Sequence, residues 1–130
     1  MRYVGIDFGT KRVGVAASNE EGTIAFPRMT LPNDDHLLHE VVRLLRQDEI
    51  ETVVMGDSRN GKGEENTVMK PARAFADELE RCGLKVLWHP EMYTSAEAAR
   101  APGSTAATLD ASAAAVMLQS FLDTMNRGKI

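Results

Sequence analysis

The feature that most constrains this chain is its first eighteen residues, MRYVGIDFGTKRVGVAAS. Two short aliphatic runs, 3–6 and 13–17, flank a Gly-rich turn and predict an antiparallel hairpin. Asp7 follows Val4-Gly5-Ile6 directly. A strand interior normally rejects Asp, which gains nothing from burial and is costly to desolvate. It is either a turn-former that ends the strand or a ligand held on the rim of a sheet. Gly5, Gly9 and Gly14 strip side chains from its surroundings and leave room for a bulky partner near the backbone.

Beyond the hairpin, Asn19-Glu20-Glu21-Gly22 signals a turn, and a third extended segment, 23–31, carries Pro27 and suits a sheet edge. Asn33 or Asp34 is expected to cap a helix with Leu37, Leu38, Val41, Val42, Leu44 and Leu45 inward. His36 and His39, three apart, are not completed by a Glu or Asp into a plausible metal site and read as surface residues. ETVVM, ending at Gly56, predicts a buried strand parallel to the first. After a long polar loop, Asn66 caps a helix whose inner face is Ala72, Phe75, Ala76 and Leu79 and which Gly83 stops. Cys82, beside that stop, reads as structural. Residues 85–88 predict another strand, Thr94 and Glu97 have the spacing of a capping box, and an Ala-rich helix runs from 109 to about 125. The order describes one α/β domain over 1–130: a five-stranded mixed sheet, with a three-strand opening meander, two parallel strands and helices on both faces.

Composition narrows the function classes. At 130 residues, 43% hydrophobic and 26% charged, the chain matches one globular domain with a real core. No apolar run reaches membrane-spanning length, and the first strand begins without charged and apolar leader regions, so no membrane association is expected. A lone cysteine excludes an internal disulfide and points to a reducing, cytoplasmic setting. The net charge of −4 argues mildly against a phosphate-coating protein, yet Lys11, Arg12, Arg59 and Lys62 fall in two loops.

In such a sheet the carboxyl ends of parallel strands form the natural site. Asp7 closes the first strand, Glu91 lies beyond the last, and Asp110 begins the inward face of the final helix. Three carboxylates about 5 Å apart would repel by roughly 3 kcal/mol per pair at an effective dielectric near 20. Such a cluster must take up protons, spread apart or bind a cation, and hard oxygen ligands suit Mg²⁺ or Mn²⁺. Metals held this way stabilise an in-line phosphodiester displacement. Taken singly, Asp110 reads better as a helix cap and Glu91 as a loop charge; taken together with Asp7, the three read as a site. Thr94 and Ser95 offer a hydroxyl and helix-start amides to a phosphate, or simply cap their own helix.

GIDFGTKRVGVA, VVMGDSRNGKGEEN, PEMYTSAEA and LDASAAAVMLQSFLD, in that order, resemble the YqgF/RuvX family. The resemblance implies an RNase H-like three-layer sandwich and a metal-dependent nuclease, either a Holliday junction resolvase or a pre-16S rRNA nuclease. It implies Asp7, Glu91 and Asp110 as metal ligands and catalytic residues. Lys11, Arg12 and the loop after Gly56 would lie near the nucleic-acid backbone. Members commonly read Asp-Glu-Arg where this chain has Pro90-Glu91-Met92, and they carry a longer basic segment where it has APGSTAAT. The expected substrate is structured RNA, with branched DNA as the alternative; the chain would act as a monomer or homodimer.

Three other readings compete. GIDFGTK also resembles the first phosphate loop of sugar kinases, Hsp70 and actin, whose two lobes exceed this length. Gly56 to Lys62 fits G-x-x-x-x-G-K, but Gly63 replaces the hydroxyl that a P-loop needs for Mg²⁺. The third is a non-catalytic RNA-binding or ribosome-assembly module on the same fold.

Overall fold

The computed structural model describes residues 1–57, 69–90 and 106–127. Five strands form one sheet: β1 (Tyr3–Phe8), β2 (Arg12–Ser18), β3 (Ala25–Pro32), β4 (Thr52–Asp57) and β5 (Lys85–Pro90). Their order is β3-β2-β1-β4-β5. The first three make an antiparallel meander, while β4 runs parallel to β1 and β5 parallel to β4. The helices among the described residues are α1 (Leu37–Gln47), α2 (Met69–Arg81) and α3 (Ala106–Arg127). The predicted mixed sheet and its two-sided helix cover are both present.

Strand alternation sorts the sheet into two faces. Val4, Ile6, Phe8, Val13, Val15, Val53 and Met55 pack with α1 and α2 through Val41, Leu45, Phe75 and Leu79. Tyr3, Ala16 and Val54 pack with α3 through Ala114, Met117, Leu118 and Leu122. The helix faces read from sequence are the ones buried, with Leu38, Val42 and Phe121 only partly covered.

The β2–β3 turn is built around Asn19, whose Oδ1 accepts from the backbone N–H groups of Thr23 and Ile24 at 2.8 and 3.1 Å. Gly22 takes φ +69, a left-handed geometry that a β-carbon disfavours. β3 lies at the sheet edge, where Pro27 removes a donor that no further strand needs.

Local expectations fail in four places. Neither Asn33 nor Asp34 is the N-cap of α1; that residue is His36, with no side-chain cap bond. Asp34 instead accepts the His36 N–H at 2.9 Å, and Asn33 is drawn away to the β1–β2 turn. Cys82 is exposed rather than structural. β3 starts two residues later than predicted and α3 extends past both expected ends, because packing against the sheet overrides local signals at element termini. The expected caps at Asn66 and Thr94 lie outside the described residues.

Candidate active site

β1 delivers Asp7 to the α3 face. Val4, Ile6 and Phe8 point to the α1–α2 layer, so Tyr3, Gly5 and Asp7 point the other way. Asp7 pairs across the antiparallel ladder with Gly14, which has no side chain to stand beside it. On the parallel side Ile6 pairs with Met55, so the next rung sets Gly56 beside Asp7, and Gly56 pairs with His89. Gly14, Asp7, Gly56 and His89 therefore form one row across the sheet at the carboxyl ends of the parallel strands. Asp7 is half-buried in that row between two glycines.

Asp110 reaches the same place from α3. A β-carbon on Gly14 would lie 1.9 Å from the backbone oxygen of Asp110 and 3.1 Å from the nitrogen of Ala111. The first turns of the helix thus rest on the backbone opposite Asp7. A second close approach, at Gly5, leaves 2.8 Å between an added β-carbon and Leu118 Cβ. Two glycines on one face let the helix sink onto β1 and β2.

Arg12 completes this corner. It is the first residue of β2, in step with Gly14 and Ala16, and so projects on the α3 side. Its Nε donates to Asp110 Oδ2 at 2.7 Å, with the two side chains 47% and 29% exposed. A pair this open contributes at most about 1 kcal/mol to stability. Its main effect is to set a guanidinium against one of the two acids.

The turn carrying Lys11 and Arg12 is clamped from outside. Asn33 Nδ2 donates to the Gly9 carbonyl at 2.7 Å, and the Asn33 backbone N–H donates to the Lys11 carbonyl at 3.0 Å. Gly9 is required there, since a β-carbon would fall 2.4 Å from the Arg12 carbonyl. Lys11 is exposed on this fixed turn.

His89 closes the far end of the row. Its Nε2 lies 3.0 Å from Ser120 Oγ, and its ring meets Phe121 edge-on at 5.9 Å between centroids. Burial lowers its pKa from the ordinary value of 6.5, since the charged ring would be desolvated.

Of the sequence-predicted residues, Arg12 and Asp110 are in contact, the backbone of Asp110 rests on Gly14, the ladder partner of Asp7, and Lys11 precedes Arg12 on its turn. Glu91, Arg59, Lys62, Thr94 and Ser95 lie outside the described residues. Among the described residues no three His, Cys, Asp or Glu side chains cluster as metal ligands. Asp7 and Asp110 supply hard oxygen donors, and Glu91 follows Pro90 at the end of β5. That donor chemistry fits Mg²⁺ or Mn²⁺ and not a thiophilic metal. Sequence reading missed Asn33 as a clamp and Arg12 as a partner of Asp110. Neither contact leaves a local signal, since both join residues distant in the chain.

The sheet order, the two helix layers and the acid at the end of β1 define an α/β domain of the RNase H-like class. The crystal structure of the fowlpox virus Holliday junction resolvase matches it with a TM-score of 0.61 at 15% identity, over 95% of this chain and 99% of that one. The family model RuvX, described as Holliday junction resolvase, matches residues 1–124, and the chain belongs to this family. Two relatives are each named "Putative pre-16S rRNA nuclease". The one from Nitratidesulfovibrio vulgaris is 35% identical, over 95% of this chain and 94% of its own length. The one from Ralstonia pickettii is 37% identical, over 90% and 83%. The protein is thus a YqgF-type nuclease, a hydrolase acting on nucleic acid.

Proposed function

We propose that this chain, as one RNase H-like domain, is a divalent-metal-dependent endonuclease that trims the 5′ end of pre-16S rRNA in the cytoplasm. The observation that carries the reading is the meeting of β2 and α3 at Gly14, the ladder partner of Asp7, where the backbone of Asp110 rests. Asp7, Asp110 and Glu91 hold Mg²⁺ or Mn²⁺, which when bound supplies Lewis acidity for phosphodiester hydrolysis. Lys11, Arg12, Arg59 and Lys62 contact backbone phosphates, while Thr94 and Ser95 offer hydroxyl and amide donors to one of them. The names borne by the relatives favour an rRNA precursor as substrate.

Resolvase-like cutting of branched DNA is the second reading, favoured by the family description and by the fowlpox enzyme's fold. One experiment separates them. Labelled pre-16S rRNA and a four-way DNA junction are incubated with Mg²⁺, Mn²⁺ or EDTA, beside the Asp7→Asn protein. The rRNA precursor should be cut near its mature 5′ end and EDTA should stop the reaction. Asp7→Asn should lower the rate beyond the roughly 10–100-fold expected for loss of an outer-shell partner. Preferential cutting of the junction would shift the assignment to DNA. Equal activity of wild type and variant would remove the mechanism, and binding without turnover in any metal would leave a non-catalytic RNA-binding module.

A further inference from the structure

We infer that Arg12 is a resident counter-ion of Asp110 which a divalent cation must displace, and that backbone phosphate assists by drawing the guanidinium away. The inference rests on the metal reading above and adds to it a coupling between nucleic-acid and cation binding.

Three observations carry it. The Arg12 Nε–Asp110 Oδ2 bond, at 2.7 Å, neutralises the acid whose backbone rests on Gly14, the ladder partner of Asp7. Arg12 is held for this by a turn that Asn33 ties down at Gly9 and Lys11, so its reach is set by the fold and not by a floppy loop. Its side chain is still 47% exposed, so a phosphate approaching the corner meets the same guanidinium. A carboxylate engaged by a guanidinium offers a cation less charge, and a guanidinium engaged by a phosphate releases the carboxylate. By linkage, whatever phosphate contributes to cation affinity through Arg12, the cation returns to phosphate affinity. In the free protein Arg12 also limits repulsion between Asp7 and Asp110.

The test is a Mn²⁺ titration followed by the paramagnetic resonance signal of the free ion, on wild type, Arg12→Gln, Lys11→Gln, Asp7→Asn and Asp110→Asn. Each is run alone, with a phosphodiester dodecanucleotide, and with its uncharged methylphosphonate analogue. Arg12→Gln should bind Mn²⁺ about three- to fivefold tighter than wild type, the scale of a half-exposed ion pair. Lys11→Gln removes the same charge from the same turn without touching Asp110, and should change affinity less than twofold. The phosphodiester strand should tighten Mn²⁺ binding more in wild type than in Arg12→Gln, and the methylphosphonate strand in neither.

Equal or weaker Mn²⁺ binding by Arg12→Gln overturns the inference, as does an equal gain in Lys11→Gln, which would reduce it to general electrostatics. These failures differ from failure of the metal reading itself. If wild type takes up no Mn²⁺, or Asp7→Asn and Asp110→Asn leave its uptake unchanged, both fall. If those two variants weaken uptake while Arg12→Gln does not strengthen it, only the role of Arg12 falls.

Discussion

At the scale of single residues, the site depends on what is missing beside Asp7. Glycine stands opposite it on β2, so the position paired with it carries no side chain. Lys11 sits nearby on a clamped turn, exposed and separate from the ion pair that occupies Arg12. Replacing Lys11 with Ala should therefore weaken nucleic-acid binding across sequences without altering the fold. A phosphate contact of this kind also predicts that the slope of log affinity against log salt falls by about one, measured by fluorescence anisotropy at several salt concentrations. An unchanged slope would take Lys11 out of the interface.

At the scale of elements, the position of Asp110 depends on how deeply α3 beds on the sheet. Gln119 pins the helix to the edge strand, donating to the Thr23 carbonyl at 2.9 Å and accepting from the Ala25 N–H at 2.8 Å. Tyr3 braces it from below, edge-on to Phe121 at 5.5 Å and hydrogen-bonded to Met125 Sδ at 3.4 Å. Gly14→Ala would set a β-carbon against the Asp110 backbone, which no rotamer change relieves. The helix start must lift, at about 1–3 kcal/mol in urea unfolding, and nuclease activity should fall more than stability does, because Asp110 moves with it. Asn33→Ala should cost about 1 kcal/mol through the lost bond to Gly9 and loosen the basic turn. Its signature would be weakened nucleic-acid binding, again by anisotropy, with the melting temperature only slightly lowered.

At the scale of the whole molecule, two apolar layers share one sheet. Leu45 lies in the α1–α2 layer and Leu118 in the α3 layer, each fully buried. Either change to Ala should cost about 2–5 kcal/mol. Because the same strands line both layers, the loss should appear as one cooperative transition, with Trp88 fluorescence and far-UV circular dichroism falling together in urea. Separate midpoints would mean that the layers unfold independently. Much of this architecture was legible beforehand. Short aliphatic runs in β1, β2 and β4, period-3.6 faces in α1 to α3 and the stop at Gly83 are local properties, set by side-chain character along a strand and by how residues recur around a helix. An acid late in the first strand and another on the last helix were equally visible, although Phe8 follows Asp7 in β1 and Asp110 sits in the second turn of a helix that begins at Ala106. The chain alone, then, determined its elements, their layering and the residues available for chemistry. Only tertiary structure decided that Arg12 lies on Asp110, that Asn33 clamps the turn instead of capping α1, and that His89 turns to Ser120. Each of those contacts depends on strand register and on the resting place of a crossing helix, which no stretch of neighbouring residues encodes.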